Sequence, residues 1–238
     1  MIGDALFNAL SGLRTSARKL QTSANNVANV QTPGFKKSRA TIAEASSGGA
    51  RVSAITRSNS PGSLIPTSNP LDLAVNGAGF FQVALPGGGT GFSRGGSFKV
   101  DSTGRLATLE GNPLIPEIKI PGGNTGVSID SSGQVSAILG GSPVAVGRIR
   151  LAGFNNPGGL TSQGGNLFVE SARSGSPVTG VPGSGSLGTV ISGALESSNV
   201  DIAEEIVTQI VAKTAFKANA SVIRVSGDML GALLDIKT

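Results

Sequence analysis

The sequence predicts an α+β fold in which N- and C-terminal amphipathic helices form a coiled-coil-like core domain and an all-β domain is inserted between them. A seven-residue apolar repeat at the N-terminus and a wide apolar helical surface at the C-terminus predict the helices. Residues 64–193 predict the insertion, being short apolar runs separated by Gly, Pro, Asn and Ser. The expected divisions are a helical segment 1–38, a linker 39–63, a β-rich domain 64–193 and a second helical segment 194–238.

In the first segment, Leu6, Leu13, Leu20 and Val27 recur every seven residues, with Leu10, Ala17 and Ala24 running beside them. Such a seam suits a helix that packs lengthwise on others, and residues 2–30 would span about 40 Å at 1.5 Å per residue. Asn25 and Asn29 share a face near its end, where an amide can bond an exposed carbonyl. Pro33-Gly34 stops the helix, and this sharp turn is expected to serve assembly more than the stability of the β domain. The basic cluster Lys36-Lys37-Ser38-Arg39 reads as a solvated turn.

In the middle, Leu71–Val75 alternates and leads through the turn signal Asn76-Gly77 into Gly79–Val83. Val100-Asp101-Ser102-Thr103-Gly104-Arg105-Leu106 is echoed by Ile129-Asp130-Ser131-Ser132-Gly133-Gln134-Val135. Each reads as strand, Asp-initiated turn with a left-handed Gly, then strand. A GxGxxG stretch at Gly183–Gly188 is followed by the strand-like Thr189–Gly193 where a dinucleotide site would need a helix, so that reading fails. The second helix is expected from about Val200 to Leu234, with Asn199 as its N-cap and acidic residues in its first turn. Its apolar positions form one stripe through Val207, Val211, Val222 and Leu233 and a second through Ile210, Phe216, Ile223, Leu230 and Leu234. One partner helix covers only part of so wide a surface.

The chain has no Cys, His, Trp or Tyr. That removes thiolate nucleophiles, imidazole bases and disulfides, and leaves only carboxylates for a metal. No catalytic, metal or cofactor-binding residues are assigned, no cofactor is expected, and the chain reads as a protein that is not an enzyme. The net charge of +5 is spread along the chain without interleaved aromatics, which argues against a nucleic-acid reader. No run of about 18 apolar residues suits a membrane span. Met1-Ile2-Gly3-Asp4 lacks the basic start of a secretory signal.

Ala24-Asn25-Asn26-Val27-Ala28-Asn29-Val30-Gln31-Thr32-Pro33-Gly34-Phe35-Lys36 resembles the N-terminal signature of bacterial flagellar rod and hook proteins. Leu195-Glu196-Ser197-Ser198-Asn199-Val200-Asp201 is similar to the start of that family's C-terminal segment. Asn69–Phe81 and Arg94-Gly95-Gly96-Ser97-Phe98 are similar to its β domain. Gly153–Leu160 and Gly164–Phe168 are most like the distal rod branch. Residues 39–68 depart from that branch, being short and Ser/Ala/Gly-rich where it carries a longer, more acidic and aromatic segment.

The resemblance implies a structural subunit of the flagellar basal body, of the distal rod before the proximal rod or hook. Its terminal helices would self-assemble into a hollow helical filament that surrounds the export channel and transmits torque, with the β domain outside. It further implies a periplasm-spanning location, reached through the flagellar type III apparatus without a cleaved signal peptide. The implied partners are further copies of the chain, other rod and hook proteins and the rings around the rod, with no nucleic acid and no membrane insertion. Subunit contacts are expected at Leu6, Leu13, Leu20, Asn25, Asn26, Val27, Asn29, Pro33, Gly34 and Phe35. In the C-terminal segment they are expected at Val207, Val211, Phe216, Val222, Ile223 and Leu230. A β-rich polysaccharide-binding module is the alternative from another class, and the lack of Trp and Tyr platforms counts against it.

Overall fold

A helix of 27 residues, α1 (Ile2–Ala28), opens the chain, and one of 34 residues, α2 (Ile202–Asp235), closes it. This computed structural model describes residues 2–46 and 48–235, and the side chains of Leu233 and Leu234 lie outside the described residues. The chain divides into two units, each taken by itself below. The helical unit comprises Met1–Val30, Lys37–Ser58 and Val200–Thr238; the β unit comprises Gln31–Lys36 and Asn59–Asn199.

In the helical unit, α1 and α2 pack along one another. The first helix ends on its own side chain: the Asn29 amide donates to the Asn25 carbonyl at 2.9 Å. The second starts at Asp201, whose Oδ1 accepts from the Ala203 and Glu204 amides at 2.8 and 3.2 Å. The helix therefore begins two residues beyond the expected cap Asn199, because Asp201 supplies the acceptor directly to the free first-turn amides. Asp201→Ala should cost about 1 kcal/mol. That corresponds to roughly fivefold faster hydrogen exchange at Ala203 and Glu204; unchanged exchange would show that the cap contributes nothing.

The stretch expected to be a linker is not one. Two strands, β1 (Ser38–Glu44) and β2 (Ala50–Arg57), pair antiparallel, and both pack on α1. The Ala50 amide donates to Ser11 Oγ at 3.0 Å, and Thr15 Oγ1 donates to the Ala50 carbonyl at 3.2 Å.

The β unit holds β3 (Leu64–Pro66), β4 (Leu73–Asn76), β5 (Phe80–Ala84) and β6 (Thr90–Ser93), followed by further short strands. Its largest sheet has six strands in the order 161–164, 167–169, β6, β5, 151–153 and 178–180. A three-stranded sheet orders 142–148, 134–139 and 126–129. One core gathers Leu73, Phe81, Phe98, Leu106, Ile118, Val135 and Leu151. The phenylalanines look scattered in the sequence, yet Phe80, Phe92, Phe154 and Phe168 meet in a second cluster. Its rings pack edge to face, Phe92 on Phe154 at 4.8 Å and Phe80 on Phe154 at 5.8 Å, the arrangement the ring quadrupole favours.

The two echoed turns form as expected. Asp101 Oδ1 accepts from the Thr103 and Arg105 amides, and Asp130 Oδ1 accepts from those of Ser132 and Gln134. Gly104 and Gly133 take the left-handed conformation that closes each turn. These bonds, with the Thr103 hydroxyl first, hold the Asp101 carboxyl well below its ordinary range. Gly183–Gly188 lies between the strands 178–180 and 189–192, and no helix follows it.

Candidate assembly surface and the buried junction of the β unit

The α1–α2 seam is built from small and polar residues. On α1 the buried line is Ala9, Ser16 and Ser23, seven residues apart, with Asn26 beside it. On α2 it is Glu205, Ala212 and Ser226, which share a seven-residue line with Asn219. Gly12 lets the helices approach, because a Cβ there would lie 2.6 Å from the Asn219 amide. Ser23 Oγ donates to the Glu205 carbonyl at 3.1 Å, and Asn26 Nδ2 donates to Glu205 Oε1 at 2.8 Å. Lys37 Nζ approaches Glu204 at 2.7 Å and Glu205 at 3.6 Å.

This seam corrects one expected subunit contact. Asn26 is 1 % exposed, and its amide is consumed within the chain by Glu205 and by both backbone groups of Ser38. The apolar residues, by contrast, are left uncovered by the seam. Val207, Val211, Phe216, Val222 and Leu230 are exposed on α2, as is Leu20 on α1. Leu6, Leu13, Val27, Asn29 and Ile223 are half-buried, and Asn25 is exposed. Helix α1 uses its small-residue line for its own partner and presents its leucines elsewhere. Beside them, Phe7 is 73 % exposed and lines a groove of about 990 Å³ with Leu10, Val52 and the cations Arg14, Arg18 and Arg51.

The remaining expected contacts, Pro33, Gly34 and Phe35, belong to the β unit. Gly34 is buried with φ +70°, and a Cβ there would lie 2.4 Å from the backbone carbon of Arg94. Its amide donates to the Glu196 carbonyl at 2.7 Å, and the Pro33 carbonyl accepts from Asn166 Nδ2 at 2.8 Å. The turn is thus part of the β unit's own packing, so substitutions here act on the β unit's stability as well. Pro33 and Phe35 are half-buried.

Next to this turn lies a cluster that the sequence did not suggest. Lys36, expected in a solvated turn, is 3 % exposed and pairs with the buried Glu196. Arg94 Nη1 reaches the other carboxylate oxygen at 3.3 Å and the Val75 carbonyl at 3.1 Å, while Nη2 donates to the Gly77 carbonyl at 2.7 Å. The guanidinium also sits 5.3 Å from the centre of the Phe80 ring. Burial pushes the Lys36 ammonium down, opposed by Glu196, and does the same to Arg94. Glu196 holds both cations, so it is removal of Glu196 that strands buried charge, a loss of about 3–5 kcal/mol, whereas removal of Lys36 leaves the carboxylate paired with Arg94. Among the described residues, no group of His, Cys, Asp and Glu could hold a metal ion, and no helix is long and apolar enough to cross a membrane.

The chain is 38% identical to the flagellar basal-body rod protein FlgG of Buchnera aphidicola from Acyrthosiphon pisum, with 95% of this chain and 96% of that protein covered. It is 35% identical to FlgG of Bacillus subtilis, with 98% of each covered. It belongs to the flagellar basal-body rod proteins. A rod relative of the FlgF type, from Mesorhizobium japonicum, is 31% identical over 93% of this chain and 92% of its own length. Residues 6–36 match the flagella basal body rod protein family, residues 74–137 the flagellar hook protein FlgE/F/G D1 domain, and residues 191–236 the flagellar basal body rod FlgEFG protein C-terminal family. Lys36, Arg94 and Glu196 fall one in each matched stretch. This rod protein is a structural subunit of the flagellar basal body and not an enzyme.

Proposed function

We propose that the chain is the distal rod subunit and that its helical unit polymerises with further copies into a hollow helical filament that encloses the export channel and transmits torque. The observation that carries the reading is the unpartnered apolar surface of α2. Its seam with α1 uses Glu205, Ala212 and Ser226 and leaves Val207, Val211, Phe216, Val222 and Leu230 in water. A surface of this kind marks a protein contact. In this reading the contact is heterologous, and a heterologous contact that does not close gives a helical filament. Leu6, Leu13, Leu20, Asn25, Val27, Asn29 and Ile223 extend the surface. Adjacent rod and hook proteins and the surrounding rings are the further partners, and export runs through the flagellar type III apparatus.

Negative-stain microscopy of the purified protein over a concentration series tests the reading. Filaments of uniform width are expected above a threshold concentration. A protein that stays monomeric up to its solubility limit overturns the proposal.

A further inference from the structure

The chain passes between its two units four times, after residues 30, 36, 58 and 199. Within the β unit, the three stretches next to these passages are 31–36, 59–66 and 194–199, and all three meet at Glu196. Its carbonyl accepts from the Gly34 amide, and its carboxylate accepts from Lys36 and from the Gly62 amide at 2.9 Å. Lys36 Nζ also donates to the Ser60 carbonyl at 2.9 Å, which accepts from Asn199 Nδ2 at the same distance. From the carboxylate, Arg94 continues to the carbonyls of Val75 and Gly77 at the end of β4.

Without this cluster, the stretch 31–36 has no strand partner at all, and 194–196 pairs with β3 over three residues. A neutral loop would satisfy the fold at these places more cheaply than a buried ammonium and a buried carboxylate. We propose that Lys36, Glu196 and Arg94 are positioning residues for torque transmission: they clamp every covalent passage into the β unit to one point, so that load carried by the passages reaches the sheet without slack. The proposal rests on the filament reading above for its mechanical consequence, but the clamp itself is a property of the single chain.

Lys36→Met separates the clamp from the fold. Methionine fills the same space, the Glu196 carboxylate keeps Arg94 as its counter-ion, the oxygen that holds the Gly62 amide loses its Lys36 anchor, and the Ser60 carbonyl keeps Asn199. The melting temperature of the β unit is expected to stay within a few degrees of the parent. Hydrogen exchange at Gly34 and Gly62 is expected to rise at least tenfold while β5 and β6 stay protected, and the bending persistence length of filaments is expected to fall at least twofold. Lys36→Arg, which keeps a cation on Glu196, should restore both. Native exchange together with native stiffness in Lys36→Met overturns the proposal, and so does a large loss of melting temperature, which would make the cluster a support of the fold alone. Should the parent form no filaments, the filament reading fails, and exchange at Gly34 and Gly62 still decides the clamp.

Discussion

Gly34→Val is expected to lower the melting temperature of the β unit by about 10 °C. Two costs combine at this position. The left-handed backbone, φ +70°, is closed to a β-branched residue and costs about 1–3 kcal/mol. In addition, the new side chain meets the backbone of Arg94 and Gly95 at 2.4–2.5 Å, where the obstacle is backbone and cannot swing aside. Relief of such overpacking costs about 1–3 kcal/mol more. Each kcal/mol moves the midpoint of a unit of this size by about 2–4 °C. Gly185→Ala is the matched control, since Gly185 has φ +58° with nothing near its Cβ, and it should cost about 1 kcal/mol. Equal melting of the two variants in calorimetry would refute the packing argument.

Val211→Asp should act in the opposite sense, sparing the chain and stopping the polymer. Val211 is 58 % exposed on α2, and exposed substitutions shift stability by roughly 0.5 kcal/mol or less. In a filament that buries this face, the carboxylate loses water without gaining a partner, at a cost of several kcal/mol. Even about 3 kcal/mol raises the critical concentration roughly a hundredfold. Sedimentation of assembled protein measures the concentration left in the supernatant. A value equal to that of the parent would mean that Val211 stays in water within the filament.

The parts of the fold that announced themselves in the sequence are those with local causes. The period-seven pattern of Leu6, Leu13 and Leu20 marks a helix whatever its partner, and the Asp-x-x-Gly turns at Asp101 and Asp130 close on their own side chains. The pairing of β1 and β2 had a local signal too, in the alternation Val52-Ser53-Ala54-Ile55 and the turn glycines Gly48 and Gly49 with φ +85° and +80°, but small Ser, Ala and Gly residues masked it. Other features depend on distance along the chain. Lys36 and Glu196 are 160 residues apart, and nothing near either one distinguishes a buried charge from a solvated one. The same holds for Asn26, whose partner Glu205 lies 179 residues away. The apolar stripes were legible as surfaces, but the sequence could not say that the chain's own helices would meet along the neighbouring small-residue line.

That α1 and α2 stand at opposite ends of the chain governs the order in which the molecule is completed. Everything between them, residues 29–201, must be traversed before the first helix meets its partner. The β unit needs only the contiguous run 59–199 together with 31–36, so its sheets can pair before α2 is in place. Closing the long loop costs entropy that local strand pairing avoids, and contacts of such sequence separation form slowly. The helical unit is therefore the last part to become whole. Its seam cannot form until Ala212 and Ser226 are in place, so a chain without α2 has no paired helices. In the proposed filament, chain order alone would hold back polymerisation until α2 has joined α1.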